Sequence, residues 1–177
     1  DRALEELKRR AETAVLRIHP RLNEPFELYC DASLQGLGAV LCQRTPEDEY
    51  SYPHPIAFAS RTLRDAETRY GITELETLAV IYGIKKYQTY LVGRQFTVFT
   101  DHAAVSYIQQ KKDIASLPTR RLQRWAEFLQ QFTEMRIVHR PGKLMVQADG
   151  LSRMRKFPEG NEQPVETTVE QYLPLEG

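Results

Sequence analysis

A helix with no polar side is written into residues 73–91. Thr73-Glu74-Leu75-Glu76 reads as a Thr-x-x-Glu capping box. Thr77 to Ile84 follows as an almost unbroken apolar run, and Lys85-Lys86 leads on to a stop at Gly93. A helix that is apolar nearly all round is packed on more than one face. The fold has to bring other elements to at least two sides of this segment, and the chain is long enough to supply them. With 177 residues, 41% of them hydrophobic, it can bury a sizeable core without disulfides or a structural metal.

Strand-like runs supply the partners. Residues 26–31 (Phe-Glu-Leu-Tyr-Cys-Asp) alternate, residues 36–43 are mostly apolar, and the four residues between them predict an antiparallel hairpin. A polar loop over 44–54 leads to a third strand at 55–60, and 95–101 reads as a buried, central fourth strand. A short helix over about 103–110 follows. Pro118 then opens a helix at 120–132, with Leu122, Trp125, Leu129 and Phe132 on one face and Trp125 as its core anchor. Residues 135–139 form a fifth strand, Arg140-Pro141-Gly142-Lys143 a turn, and 146–154 a short last helix. At the start, Ala3, Leu4, Leu7 and Ala11 suit an amphipathic helix that ends before His19-Pro20. The order βββ-α-β-α-α-β-α predicts an α/β domain built on a mixed sheet.

Charge and cysteine usage narrow the classes. Lys and Arg number 24, as do Asp and Glu, but residues 157–177 hold five acids and no base. Residues 1–156 therefore carry 24 bases against 19 acids, a modestly basic body that suits a nucleic-acid partner without requiring one. The acidic stretch has three prolines and no periodicity, and reads as a tail or linker. No run approaches the roughly 18–20 apolar residues of a membrane span, and the opening Asp1-Arg2-Ala3-Leu4 is neither a signal nor a transit peptide. Cys30 and Cys42 sit in apolar runs without CxxC spacing, as buried thiols in a reducing compartment do.

Four acids stand apart from the solvated majority. Asp31 closes the first strand and Asp101 the fourth; if those strands are adjacent and parallel, both carboxylates emerge at one sheet edge. Glu76 lies in the first turn of the long helix and Asp149 in the first turn of the last one. Each also has an ordinary reading: Glu76 as the capping partner of Thr73, Asp149 as a helix-dipole acid, Asp31 and Asp101 as turn formers. A converged cluster would repel itself unless a divalent cation sat in it, and hard oxygen ligands select Mg²⁺ or Mn²⁺ over zinc.

Several segments are specific. They are Phe26-Glu27-Leu28-Tyr29-Cys30-Asp31-Ala32-Ser33 and Gly36-Leu37-Gly38-Ala39-Val40-Leu41-Cys42-Gln43, then His54-Pro55-Ile56-Ala57-Phe58-Ala59-Ser60-Arg61-Thr62-Leu63. Thr73-Glu74-Leu75-Glu76-Thr77-Leu78-Ala79-Val80 and Phe99-Thr100-Asp101-His102 follow, with Ala148-Asp149-Gly150-Leu151-Ser152-Arg153 closing the set. In this order they resemble the ribonuclease H domain of Gypsy-type LTR-retrotransposon reverse transcriptases, over roughly residues 3–154.

The resemblance implies a ribonuclease H-like fold: a five-stranded mixed sheet of order 3-2-1-4-5, strand 2 antiparallel to the rest, with helices on both faces. It implies three stretches: a connecting segment from a polymerase portion at 1–25, the ribonuclease H domain at 26–156, and the acidic tail or linker at 157–177. On this reading the chain is a fragment or separated domain of a Pol polyprotein. The family's metal-binding carboxylates fall on Asp31, Glu76, Asp101 and Asp149, with two Mg²⁺ ions, or Mn²⁺, as cofactor. The implied reaction is hydrolysis of the RNA strand of an RNA–DNA hybrid. His139, ten residues before Asp149, matches a histidine that aids product departure or proton transfer in related enzymes; the alternative is a strand-end histidine. Met145, Gly150 and Ala103 depart from the family's usual residues. The implied partners are the hybrid and the polymerase portion, with no membrane, in the cytoplasm, a virus-like particle or the nucleus. Two other readings share the fold: a host-adopted, non-catalytic nucleic-acid-binding or scaffolding module, and an integrase-type strand transferase. The second uses three acids in different flanking motifs.

Overall fold

The computed structural model describes residues 19–44, 53–140 and 167–168. The expected opening helix and the last helix at 146–154, with Asp149, lie outside them. Five strands form the expected sheet: β1 (Phe26–Ala32), β2 (Gly36–Gln43), β3 (His54–Thr62), β4 (Phe96–Thr100) and β5 (Met135–His139). Their order is β5-β4-β1-β2-β3. β2 runs antiparallel to both neighbours, while β1, β4 and β5 are parallel. A two-residue strand, β6 (Thr167–Thr168), adds antiparallel to β3 at Ala59 and Ser60. It falls in the acidic stretch, where alternation over so few residues leaves no sequence signal.

The hairpin closes on Ser33. Its hydroxyl oxygen accepts from the Gln35 and Gly36 backbone N–H groups at 3.2 and 3.1 Å, satisfying donors that the strands leave over. β2 is buried along its whole length, and β1 nearly so, which makes them the centre of the sheet.

Among the described residues four helices accompany the sheet: α1 (Ile72–Lys86), α2 (Gln88–Leu91), α3 (Ala103–Gln110) and α4 (Arg120–Gln130). α1 is buried without interruption from Leu75 to Ile84, as its apolar circumference requires. One core joins Leu28, Cys30, Ala39 and Val98 of the sheet to Ala79 and Ile84 of α1, Val105 of α3 and Leu129 of α4. The described helices therefore share one face. On the other face Tyr29, Val40 and Cys42 pack with Phe58 and Phe99, the Tyr29 and Phe99 rings stacked at 4.7 Å. No described helix packs on that face; the last expected helix, at 146–154, lies outside the described residues. Both cysteines are buried free thiols, and no described helix is long and apolar enough to cross a membrane. Trp125 is half-buried against the core, with the Tyr70 ring 6.3 Å away.

Two details of α1 correct the sequence reading. Its N-cap is Gly71, not Thr73, and the acid that reaches back is Glu74, which accepts from the Gly71 N–H at 3.3 Å. The capping register lies two residues earlier because Gly71 adopts the extended cap conformation, leaving Thr73 inside the helix. Glu76 is thereby free of any capping role. The helix also ends at Lys86, with Tyr87 separating it from α2.

Gly83 sets the distance between α1 and the sheet. A Cβ there would stand 2.8 Å from Cys30 Sγ, 3.1 Å from Ala39 Cβ and 3.4 Å from a Leu28 methyl. Those neighbours are at most 1% exposed and cannot swing away. Gly83→Ala is expected to destabilise the domain by roughly 1–2 kcal/mol, because overpacking outweighs the gain in helix propensity. Urea unfolding measures this, and an unchanged or raised midpoint would contradict it.

Candidate metal centre

The pairing of β1 with β4 brings two acids together. The strands are in parallel register from Phe26↔Phe96 to Tyr29↔Phe99. Carried two residues further, that register sets Asp31 beside Asp101 where the strands leave the sheet. α1 brings the third acid from above. Glu76 precedes Gly83 by seven residues, about two helical turns, so it shares the face pressed onto Cys30 and Ala39. One carboxylate oxygen from each of Asp31, Glu76 and Asp101 lies within 4.8 Å of the others. Asp31 is 4% exposed and Glu76 6%, while Asp101 is half-buried.

Three carboxylates this close resist ionising together. Burial pushes the Glu76 carboxyl up to about 8, and the charges of Asp101 and Asp31 add to the shift; the Ala32 backbone N–H pulls weakly the other way. Glu76 Oε2 is buried with no hydrogen-bond partner among the described residues. An orphaned buried oxygen in a nest of acids fits a divalent cation, which would supply the missing ligand contact and cancel the repulsion. Burial, with Glu76 and Asp31 nearby, also raises the Cys30 thiol far above its usual range, so it stays protonated and leaves an all-oxygen donor set.

His139 ends β5 on the same edge, paired with Thr100 of β4. Its ring is exposed, and Nε2 donates to the Asp101 backbone carbonyl at 2.9 Å. His102 caps α3 half-buried, with Nδ1 enclosed and lacking a partner among the described residues. Asp149, the fourth expected acid, lies outside the described residues. Gly83 was missed as a site determinant; its signal was a lone glycine inside an otherwise apolar helix.

An acid whose folded-state pKa is raised lets the native state hold more protons than the unfolded one. Stability then falls as pH rises from the ordinary glutamate range towards about 8. The cation-free protein is expected to lose of order a few kcal/mol between pH 5 and 8 by this route. Glu76→Gln should remove most of that slope. Urea midpoints across the range test this, and a slope that persists in the variant would contradict it.

Known proteins match both the sequence and the fold. The profile described as "RNase H-like domain found in reverse transcriptase" matches residues 21–132. The Pol polyprotein of transposon 297 from Drosophila melanogaster is 37% identical over 136 residues, covering 77% of this chain and 12% of the polyprotein. That of transposon gypsy, from the same organism, is 33% identical over 144 residues, covering 81% and 13%. The chain therefore spans about an eighth of these relatives. Among solved structures, a foamy viral protease-reverse transcriptase in complex with dsDNA superposes with a TM-score of 0.60. It is 15% identical, over 78% of this chain and 28% of that one. RNase H1 from the archaeon Halobacterium salinarum gives 0.53 at 18% identity, over 72% and 93%. These two likenesses show the fold. The strand order, the register that joins Asp31 to Asp101 and the match over residues 21–132 agree: the chain belongs to the family of RNase H-like domains found in reverse transcriptases.

Proposed function

We propose that this domain hydrolyses the RNA strand of an RNA–DNA hybrid, leaving 3′-hydroxyl and 5′-phosphate ends, with Mg²⁺ as cofactor and Mn²⁺ as a substitute. The observation that carries this reading is the convergence of Asp31, Glu76 and Asp101 around a buried Glu76 oxygen that has no hydrogen-bond partner among the described residues. These three acids would hold the cations. Asp149 would join them, on the strength of its Ala-Asp-Gly-Leu-Ser-Arg context. Bound divalent cations supply charge stabilisation at the phosphate and acidify water.

The rest is the work of the chain. Asp31 and Glu76 are immobilised by a central strand and a fully packed helix, so their carboxylates are positioned before substrate arrives. Asp101, half-buried, marks the open side from which a phosphodiester approaches. His139 spends its Nε2 proton on the Asp101 carbonyl, so its Nδ1 is the nitrogen left to exchange a proton with a leaving oxygen or with water at the rim. RNA is told from DNA by its 2′-hydroxyls across the shallow minor groove. In a polyprotein, residues 26–156 would be the nuclease unit. Residues 1–25 would connect it to a polymerase portion that holds the same duplex and raises its effective concentration. Residues 157–177 would lead onward.

A labelled RNA–DNA hybrid, with and without Mg²⁺, tests the assignment. Asp31→Asn is expected to lower cleavage by at least about 10³-fold while leaving the melting temperature equal or higher, since it removes one repelling charge. Full activity in that variant would refute the site. His139→Ala should cost about 10–100-fold in kcat without weakening Mn²⁺ binding. An unchanged kcat would reduce His139 to a strand-end residue.

A further inference from the structure

A groove of about 360 Å³ runs between α1 and α4, beside the 3-10 turn Glu67–Arg69. The helices share their N-terminal ends: Glu74 of α1 accepts from Arg121 at 2.9 Å and from the α4 cap Thr119 at 3.1 Å. The groove wall is basic and aromatic. The Arg121 guanidinium lies 3.7 Å from the Tyr70 ring centroid, Lys85 Nζ lies 5.4 Å from that of Phe128, and Trp125 and Arg124 stand alongside. One acid, Glu67, also lines it, but both its oxygens are held by Arg61 at 2.7 and 2.9 Å. Lys85 and Arg124 are exposed and form no ion pair among the described residues. None of these residues belongs to the metal centre.

We infer that this groove seats an acidic peptide segment, and that its occupant is residues 157–166 of the chain's own C-terminal stretch, the part that precedes β6. Residues 157–166 carry Glu159, Glu162 and Glu166 with no basic residue, together with Phe157 and Val165. Their charge answers Lys85 and Arg124, and Phe157 and Val165 answer Trp125 and Phe128. β6 places the stretch on the correct side. Thr168 pairs with Ala59 and Thr167 with Ser60, one residue short of Arg61, which is bound to Glu67 of the groove; a chain continuing that antiparallel direction would meet Arg61 next. Eight residues from Thr167 back to Glu159 reach at most about 28 Å, against the roughly 10 Å of α1 between Leu78 and Lys85. A tether of this length supplies a millimolar effective concentration, so modest contacts suffice. A nucleic-acid strand is the weaker fit, because stacking needs open ring faces and Arg121 already covers Tyr70.

Trp125 is the chain's single tryptophan and lies in the groove, so its fluorescence reads occupancy. In the full chain, Glu159→Lys, Glu162→Lys and Glu166→Lys together are expected to raise acrylamide quenching of Trp125 about twofold, as should about 0.5 M salt on the unaltered chain. Lys85→Glu with Arg124→Glu should do the same, and combining the two sets should restore protection. Circular dichroism melting confirms folding, and if the helix variant fails to fold, the tail variant alone decides. Quenching unchanged by the tail variant, or a combined variant no better protected than either set alone, would overturn the proposal. So would protection of Trp125 by a single-stranded oligonucleotide in a chain that ignores the tail charges.

Discussion

Mutual repulsion among Asp31, Glu76 and Asp101 is the constraint on which the rest of this structure turns. Three carboxylates with oxygens within 4.8 Å of one another are unfavourable, and two of them are almost out of water. Such a cluster persists only where the scaffold holds it. Here β1 and β4 are locked in parallel register, and α1 is pressed onto β1 and β2 at Gly83. Relaxing either contact would let the acids separate. The fold thus stores an electrostatic cost at one edge of its sheet, and a bound divalent cation would relieve it.

The same economy explains how α1 serves two neighbours. Its inner face presses on Cys30 and Ala39, and its first turn bonds Thr119 and Arg121 at the start of α4. Glu74 faces α4 while Glu76 faces the acids, two residues on along the same helix. That division depends on the helix starting at Ile72 behind a Gly71 cap, which hands the capping work to Glu74. A start two residues later would have made Glu76 the capping acid and left the centre with two carboxylates.

Much of this was legible in the sequence, because its strongest signals are physical ones. An all-round apolar helix has to be buried, and α1 is, from Leu75 to Ile84. A four-residue gap between strands has to be a hairpin, and β1 pairs with β2 in full register. Asp31 and Asp101 could be placed together on the condition that their strands are adjacent and parallel, and β1 and β4 are. What stayed hidden depended on local backbone choice or on close packing. Thr73-x-x-Glu76 satisfies the capping pattern as well as Gly71 does, and only the extended dihedrals of Gly71 decide between them. Gly83 reads as a weak point in a helix until its neighbours are known. β6 is too short to leave a periodic trace.

The most direct test of the account is anomalous diffraction from crystals of this chain grown with Mn²⁺. A peak in coordination contact with carboxylate oxygens of Asp31, Glu76 and Asp101 together is the predicted result. Mn²⁺ absent from that edge, with the three carboxylates turned apart, would contradict the claim that the fold holds these acids together for a cation.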